Sequence, residues 1–366
     1  MAIAVDRVQA KVSLTFQDMS RFAHIDDPLH EDLSGMARIG RSLFLACDET
    51  ASVERLEQLE GGRWGRHTHI ALDPIFDLPA GPDGEMDIEG LAIDDGFLWI
   101  VGSHAHKRKK PKRAKNTAAE ALERMEDVER EANRYFLGRV PLKETEPGLF
   151  EPVAEHNGRR ADTLKLKKTS SRLVSWLRKD RHLAPFLDLP SKENGLDVEG
   201  IAVRRDRVWL GLRGPVLLGH AVILEIRLDD THRHLKAKRI EGKRRYRKHL
   251  IDSAGLGVRD LRFLGGDLLI LLGPAMSADG PARILRWRNA VRTPGSGVVD
   301  GGRLDHVLEL PYRGAYEHPE GIELWPEAGE ESVLVVYDAP APERFGEGGL
   351  AMTADVFDLA DRPDPA

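Results

Sequence analysis

The chain carries a single cysteine, Cys47, among 366 residues. An internal disulfide and a CxxC zinc site are thereby excluded, and a reducing compartment is expected. No apolar run approaches the roughly 18 residues needed to cross a bilayer. The opening stretch, MAIAVDRVQAKVSL, is charged early and lacks an apolar h-region, so no signal peptide is expected. The expected location is the cytoplasm. An excess of positive charge is also missing. Lys plus Arg is 54 against 60 for Asp plus Glu, a net charge of −6, which argues against a general nucleic-acid coat. There is no GxSxG elbow, P-loop, Walker motif or HExxH. What is there is 41% hydrophobic residues, enough for a core, and 35 glycines.

Internal repeats organise the rest. Five segments are alike: Asp32-Leu-Ser-Gly-Met-Ala37, Asp87-Ile-Glu-Gly-Leu-Ala92, Asp197-Val-Glu-Gly-Ile-Ala202, Val258-Arg-Asp-Leu261 and His318-Pro-Glu-Gly-Ile-Glu323. Each is followed by a polar turn and a second apolar run: Ser42–Ala46, Phe97–Val101, Val208–Leu212, Leu268–Leu272 and Val333–Tyr337. Gly and Asp in the turns supply the positive φ that tight hairpins need. With Ser34, Glu89, Glu199, Arg259 and Glu320 as equivalents, the spacings are 55, 110, 60 and 61. No further hairpin of this kind fills the long interval.

Later strands are expected at Arg172–Leu177 with Leu183–Leu189, Ala221–Leu228 with Leu235–Ile240, and Arg283–Arg288 with His306–Leu310. The fold class is therefore all-β: a single β-propeller domain over 1–366, with five four-stranded blades. Six is the alternative, its extra blade drawn from Gly138–Lys168. Val12–Phe16 has no hairpin of its own and is expected to close the ring as the outer strand of the last blade. An insertion over 103–170 interrupts the second blade. It holds Lys107–Lys115, with seven cations in nine residues, then a helix over Thr117–Phe136. That helix is read from apolar Leu122, Met125, Val128, Ala132 and Tyr135 and a Thr117/Glu120 capping box.

In a propeller the repeat starts and the second-to-third-strand loops emerge on one face, around the axis. That places Ser34, Glu89, Glu199, Arg259 and Glu320 in an axial ring, with Asp87, Asp197, Asp260 and His318 close by. Asp48, Glu49, Ser103, His104, His106, Arg213 and Asp338 come from the loops. Three carboxylates near one axis need compensation. Either a cation sits among Glu89, Glu199 and Glu320, or Arg213 and Arg259 pair with them, or protons remain bound. Calcium is the natural cation, since it takes hard oxygen ligands in flexible geometry. An axial salt-bridge network is the structural alternative.

Arg213, in Gly211-Leu-Arg-Gly-Pro-Val216, is a candidate clamp for a phosphate or carboxylate. Ser103, Arg259 and His318 join it as candidate contacts to a small anionic ligand. Of three His-x-His pairs, His104/His106 lies beside the axial face, making His104 the candidate base or ligand. His67/His69 and His232/His234 are expected on the surface. The runs Lys107–Lys115 and Lys236–Lys248 are read as solvated charge in preference to nucleic-acid contacts.

Asp87-Ile-Glu-Gly-Leu-Ala92 with Trp99-Ile-Val-Gly-Ser-His104, and Asp197-Val-Glu-Gly-Ile-Ala202 with Gly211-Leu-Arg-Gly-Pro-Val216, resemble the bacterial domain of unknown function family 3616. The resemblance runs from about residue 30 to 340. It implies a fold and brings no established activity. More distantly, the acidic-Gly hairpins look like propellers of the phytase-esterase and gluconolactonase type, which hold calcium on the axis through acidic residues. That likeness implies Glu89, Glu199 and Glu320 as ligands, while Ser34 and Arg259 depart from a full acidic ring. Two function classes follow. One is a calcium-dependent hydrolase of phosphoester or lactone bonds, using Arg213 on the anion and His104 or a spare carboxylate as base. The other is a non-catalytic module that binds a ligand or a protein partner on the axial face, with the helical insertion as lid or docking arm.

Overall fold

A computed structural model describes residues 8–17, 29–111, 116–167, 169–229, 235–314, 316–346 and 349–359. His232/His234 and part of Lys107–Lys115 lie outside the described residues.

Each of the five repeated segments forms the innermost strand of an antiparallel unit. These strands are Leu33–Ile39, Ile88–Asp94, Asp197–Arg204, Gly257–Leu264 and His318–Leu324. Each packs against the next, and the last packs against the first, so they form a closed ring. The architecture is a β-propeller. Each inner strand pairs with the strand that follows it across a tight turn. The second strands read as unbroken apolar runs because both faces are covered by neighbouring units. Ser42–Cys47 and Phe97–Gly102 are buried along their whole length.

The glycine after the acidic residue explains how the inner strands come so close. A methyl group on Gly90 would lie 2.8 Å from the Glu199 carbonyl oxygen. One on Gly35 would lie 3.2 Å from the Gly90 Cα. In the fourth repeat Asp260 replaces the glycine. It is fully buried, and its carboxylate accepts from the Leu261 and Ile322 amides at 2.7 and 2.9 Å.

Ring closure follows the expectation for the N-terminal strand. Ala10–Thr15 pairs antiparallel with Ala351–Asp358 and so becomes the outer strand of the unit begun by His318–Leu324. Leu14 also touches Trp64 of the first unit in parallel register, which joins the first and last units into one continuous sheet. The apolar side chains form clusters between successive units.

The second unit differs from the expected layout. Its third strand is Leu137–Glu146, paired with Phe97–Val101, and Leu149–Pro152 and Asp162–Thr163 pair with it in turn. The stretch considered for an extra blade is thus used here. Arg172–Leu177 is not a strand but a short α-helix, capped by the Ser171 hydroxyl accepting from the Val174 amide. Within Leu183–Leu189 the regular element is a 3-10 turn, Ala184–Phe186.

The helix expected over 117–136 is confined to Ala118–Arg124, although its Thr117/Glu120 capping box is present. It stops because Val128–Glu129 pairs with Lys107–Arg108 instead. The segment 103–170 is therefore two excursions separated by a core strand. In the third unit the outer strand is Tyr246–Asp252, not Leu235–Ile240. No helix among the described residues is long and apolar enough to cross a membrane.

Candidate functional site

The inner-strand starts and the loops after the second strands meet in a pocket of about 580 Å³ at one end of the axis. Its lining includes Ser34, Asp48, Glu49, Asp87, Glu89, Asp197, Glu199, Arg213, Arg259, His318, Glu320 and Asp338, all placed there by the repeat argument. Asp32, Glu85 and Arg134 also line it and were not singled out beforehand. Arg134 follows the short helix, and no local motif marks it.

The pocket floor divides into two halves of different chemistry. On one side two arginines hold three carboxylates. Arg213 bonds Asp197 and lies 2.7 Å from Glu199. Arg259 reaches Glu199 at 3.1 Å and both oxygens of Glu320 at 2.5 and 2.8 Å, and donates to the Pro274 carbonyl. This is the salt-bridge alternative for Glu199 and Glu320. Burial, opposed by these guanidiniums, still holds the carboxyls of Asp197 and Glu199 at about 7.

The other half has less compensation. Asp48, Asp87 and Glu89 present oxygens within 4.8 Å of one another, and so do Glu89, Asp197 and Glu199. Glu89 belongs to both groups. Burial first, then the charges of Asp48, Glu199, Asp87 and Asp197, push the Glu89 carboxyl well above its usual range. Burial and the neighbours Asp32, Asp87, Asp338 and Glu320 do the same to Asp48. Arg134 bonds Glu85 and approaches Asp87 only to 3.5 Å. One oxygen each of Asp48 and Asp197 is buried with no hydrogen-bond partner among the described residues. Glu320, expected as a ligand, falls in neither group, because Arg259 takes both its oxygens.

An all-carboxylate donor set with buried, unsatisfied oxygens fits a hard divalent cation. Asp87 also has a left-handed backbone, φ 50°, which Asp tolerates and which turns its side chain away from the strand register.

Ser103 and His104 do not line the pocket. Both are buried behind its wall. The Ser103 hydroxyl accepts from the Ala105 amide, and its carbonyl accepts from the Val198 amide of the next unit. The His104 ring donates from Nδ1 to the Gly102 carbonyl, 2.9 Å away, and packs edge-on against Tyr135. Burial drops its pKa to about 4, so the ring is neutral at physiological pH. His106 bonds the Tyr135 hydroxyl at 3.0 Å. His318 does line the pocket, 3.5 Å from Asp338, which raises its pKa. His67 and His69 both bind Glu54, 2.6 and 2.8 Å away, far from the axis.

Beneath the pocket the axis is corked. Arg262 is buried and donates to the carbonyls of Met36, Leu91 and Ile322, at 2.7, 3.2 and 3.0 Å, so one guanidinium ties together three other repeats. The pocket is therefore a blind depression and not a through-channel. Over its rim stands the Lys107–Arg108 hairpin with the short helix. Arg108 bonds Glu193, and Lys109 lies 2.8 Å from Asp127. Leu122 of the helix and Met125 just after it are exposed, and Met125 lines the pocket.

The sequence profile of DUF3616, proteins of unknown function, matches residues 32–355. The chain belongs to this family. No curated protein matches it in sequence. Among solved structures it is similar to the Bacillus subtilis arabinanase Arb43A, at 11% identity over 91% of this chain and 94% of that one, TM-score 0.42. It is also similar to the PQQ-bound aldose sugar dehydrogenase of Streptomyces coelicolor, at 13% identity over 89% and 94%, TM-score 0.38. A streptogramin B lyase gives 10% identity over 91% and 95%, TM-score 0.32. Likenesses this distant carry nothing about chemistry in the DUF3616 chain.

Proposed function

We propose that this DUF3616 protein is a five-bladed propeller whose axial pocket is a divalent-cation-dependent hydrolytic site for a small anionic phosphoester or lactone. Calcium is the cation we favour. The observation that supports this reading is the charge of the floor. Among the described lining residues Asp32, Asp48, Asp87, Glu89, Asp197, Glu199, Glu320 and Asp338 meet the guanidiniums of Arg134, Arg213 and Arg259, while the Arg108 guanidinium at the rim is held by Glu193. Clustered buried carboxylates in such excess call for bound protons or a cation.

Asp48, Asp87 and Glu89 would hold the ion, and when bound it would polarise the scissile ester oxygen and orient water. Arg213, spanning Asp197 and Glu199, presents positive charge to the anionic group of the substrate. Asp197 and Glu199, with proton affinities near neutrality, are suited to accept the proton of the attacking water. His318, whose pKa the bond to Asp338 raises, serves as proton donor to the leaving group. His104 has no part in this scheme, because its ring does not reach the pocket. The basic rim of Lys107, Arg108, Lys109, Lys110 and Lys192 draws in anions. A cytoplasmic location belongs to the same reading and is supported by the lone, buried thiol of Cys47.

A panel of aryl phosphate esters and lactones tests it, assayed with calcium, with other divalent ions and with chelator. The expected result is chelator-sensitive turnover that falls about a hundredfold or more in Asp87→Asn and Glu89→Gln, as loss of several kcal/mol of polarisation requires. Turnover indifferent to chelator and to both substitutions would overturn it. The second reading, a non-catalytic binding module, is favoured by one feature: Arg213 and Arg259 are already paired with carboxylates. It gains its partner surface from exposed Leu122 and Met125. Cation binding without turnover of any ester or lactone would select it.

A further inference from the structure

A second pocket, of about 570 Å³, opens at the other end of the third unit. Six arginines line it: Arg204, Arg205, Arg207, Arg227, Arg239 and Arg247. Among the described residues only two carboxylates, Asp206 and Glu225, line it with them. The arginines come from three separate places in the chain: the turn between the first two strands with the strand ends that flank it, the third strand, and the outer strand with the segment before it. A solvated charge run explains neighbours in sequence. It does not explain the convergence of Arg204, Arg227 and Arg247 on one concavity.

The available acids are already committed. Glu225 is buried and serves both Arg207, at 2.9 Å, and Arg247, at 3.3 Å, as well as His249. Asp206 holds Arg227. Arg204 donates to the Gly265 carbonyl. Arg205 and Arg239 are exposed and make no ion pair among the described residues. The Nε of Arg247 is buried without a hydrogen-bond partner among them. Packing guanidiniums together is unfavourable unless something negative joins them.

We infer that this arginine pocket binds a compact anion bearing two or more phosphate groups. Guanidinium forks match phosphate oxygens bidentately, which a lysine cluster would not do. The volume suits a small molecule. Trp209, the one aromatic side chain in the lining, is fully buried and offers no face for a nucleobase. The overall charge of −6 and the acidic axial pocket disfavour a long polyanion wrapped over the surface. The site is distinct from the axial one. Asp197 and Arg204 stand at opposite ends of one strand, seven steps or roughly 23 Å apart.

Inorganic tripolyphosphate is the probe, titrated calorimetrically into the wild-type chain at physiological salt. Binding is expected, weakened about tenfold or more in the exposed pair Arg205→Gln/Arg239→Gln, since each charge-assisted contact contributes on that scale. Glu89→Gln, in the other pocket, is expected to leave the affinity unchanged. No binding at millimolar tripolyphosphate, or equal binding by the double variant, overturns the inference. So does loss of binding in Lys107→Gln/Lys110→Gln at the axial rim, which would move the site to the axis. A short single-stranded RNA that outcompetes tripolyphosphate would also overturn it, in favour of a nucleic-acid surface.

Discussion

Replacing Glu89 with Gln removes one ionisable group from the place where the most carboxylates meet. The side chain is 7% exposed, and its carboxyl is pushed up first by burial and then by four acidic neighbours. The unfolded chain ionises this group above its ordinary value of 4.5. The native chain keeps the proton to higher pH. Between those limits the native state holds one proton more, so wild-type stability contributed by this group falls as pH rises. Gln mimics the protonated form and has no such dependence. Glu89→Gln is therefore more stable than wild type without divalent ions. Its advantage grows by about 1.4 kcal/mol for each pH unit above about 4.5, until the native carboxyl itself ionises.

Histidine contributions, including that of buried His104, cancel between the two proteins. Urea unfolding followed by tryptophan fluorescence, at several values between about pH 5 and 8, reads the slope directly. Calcium at a hundred times its dissociation constant would then stabilise wild type by about 2.7 kcal/mol and leave the variant unmoved. A variant less stable than wild type at every pH, or a difference independent of pH, would refute the reasoning. Glu89 would then be an ionised structural acceptor.

Arg259→Met strands Glu320 as a buried charge and leaves Glu199 to Arg213 alone, and should cost about 3–5 kcal/mol near neutral pH, measured by urea unfolding. The loss should shrink as the pH is lowered through about 7, where Glu199 takes up its proton. Gly90→Ala forces a methyl group against the Glu199 carbonyl and should cost about 1–3 kcal/mol by overpacking, with a lower melting temperature as readout. Arg262→Met uncorks the axis, leaving three buried carbonyls without this donor and Asp260 without its guanidinium neighbour at 3.4 Å. A loss of about 3 kcal/mol or more is expected in the same assay.

The inner hairpins and the closing strand were legible in the sequence because their signals are local. Glycine after an acidic residue marks close approach of strands, and Gly or Asp marks the tight turns. The axial pocket followed from topology alone, since every residue placed in the axial ring itself lines it. The second unit was harder. Leu137–Glu146 carries Arg139, Pro141 and a charged end, and its identity as a core strand depends on pairing with Phe97–Val101, which no local pattern announces. Arg172–Leu177 is apolar enough for a strand, yet the Ser171 cap starts a helix. The helix after Thr117 ends early because its expected continuation pairs with the basic run.

At the site, sequence showed that Arg259 stood among the glutamates without showing which of them it holds. Glu320 is lost to it, while Asp48 and Asp87, from a loop and a strand start, gather around Glu89. His104 looked axial by position, but its backbone, at φ 57°, turns the ring into the core.

Calcium titration calorimetry on wild type, Glu89→Gln and Asp87→Asn tests the central claim most directly. Micromolar binding to wild type that both substitutions abolish is the predicted result. No heat with calcium, magnesium or manganese would contradict it, leaving the axial carboxylates as a network held by protons and arginines alone.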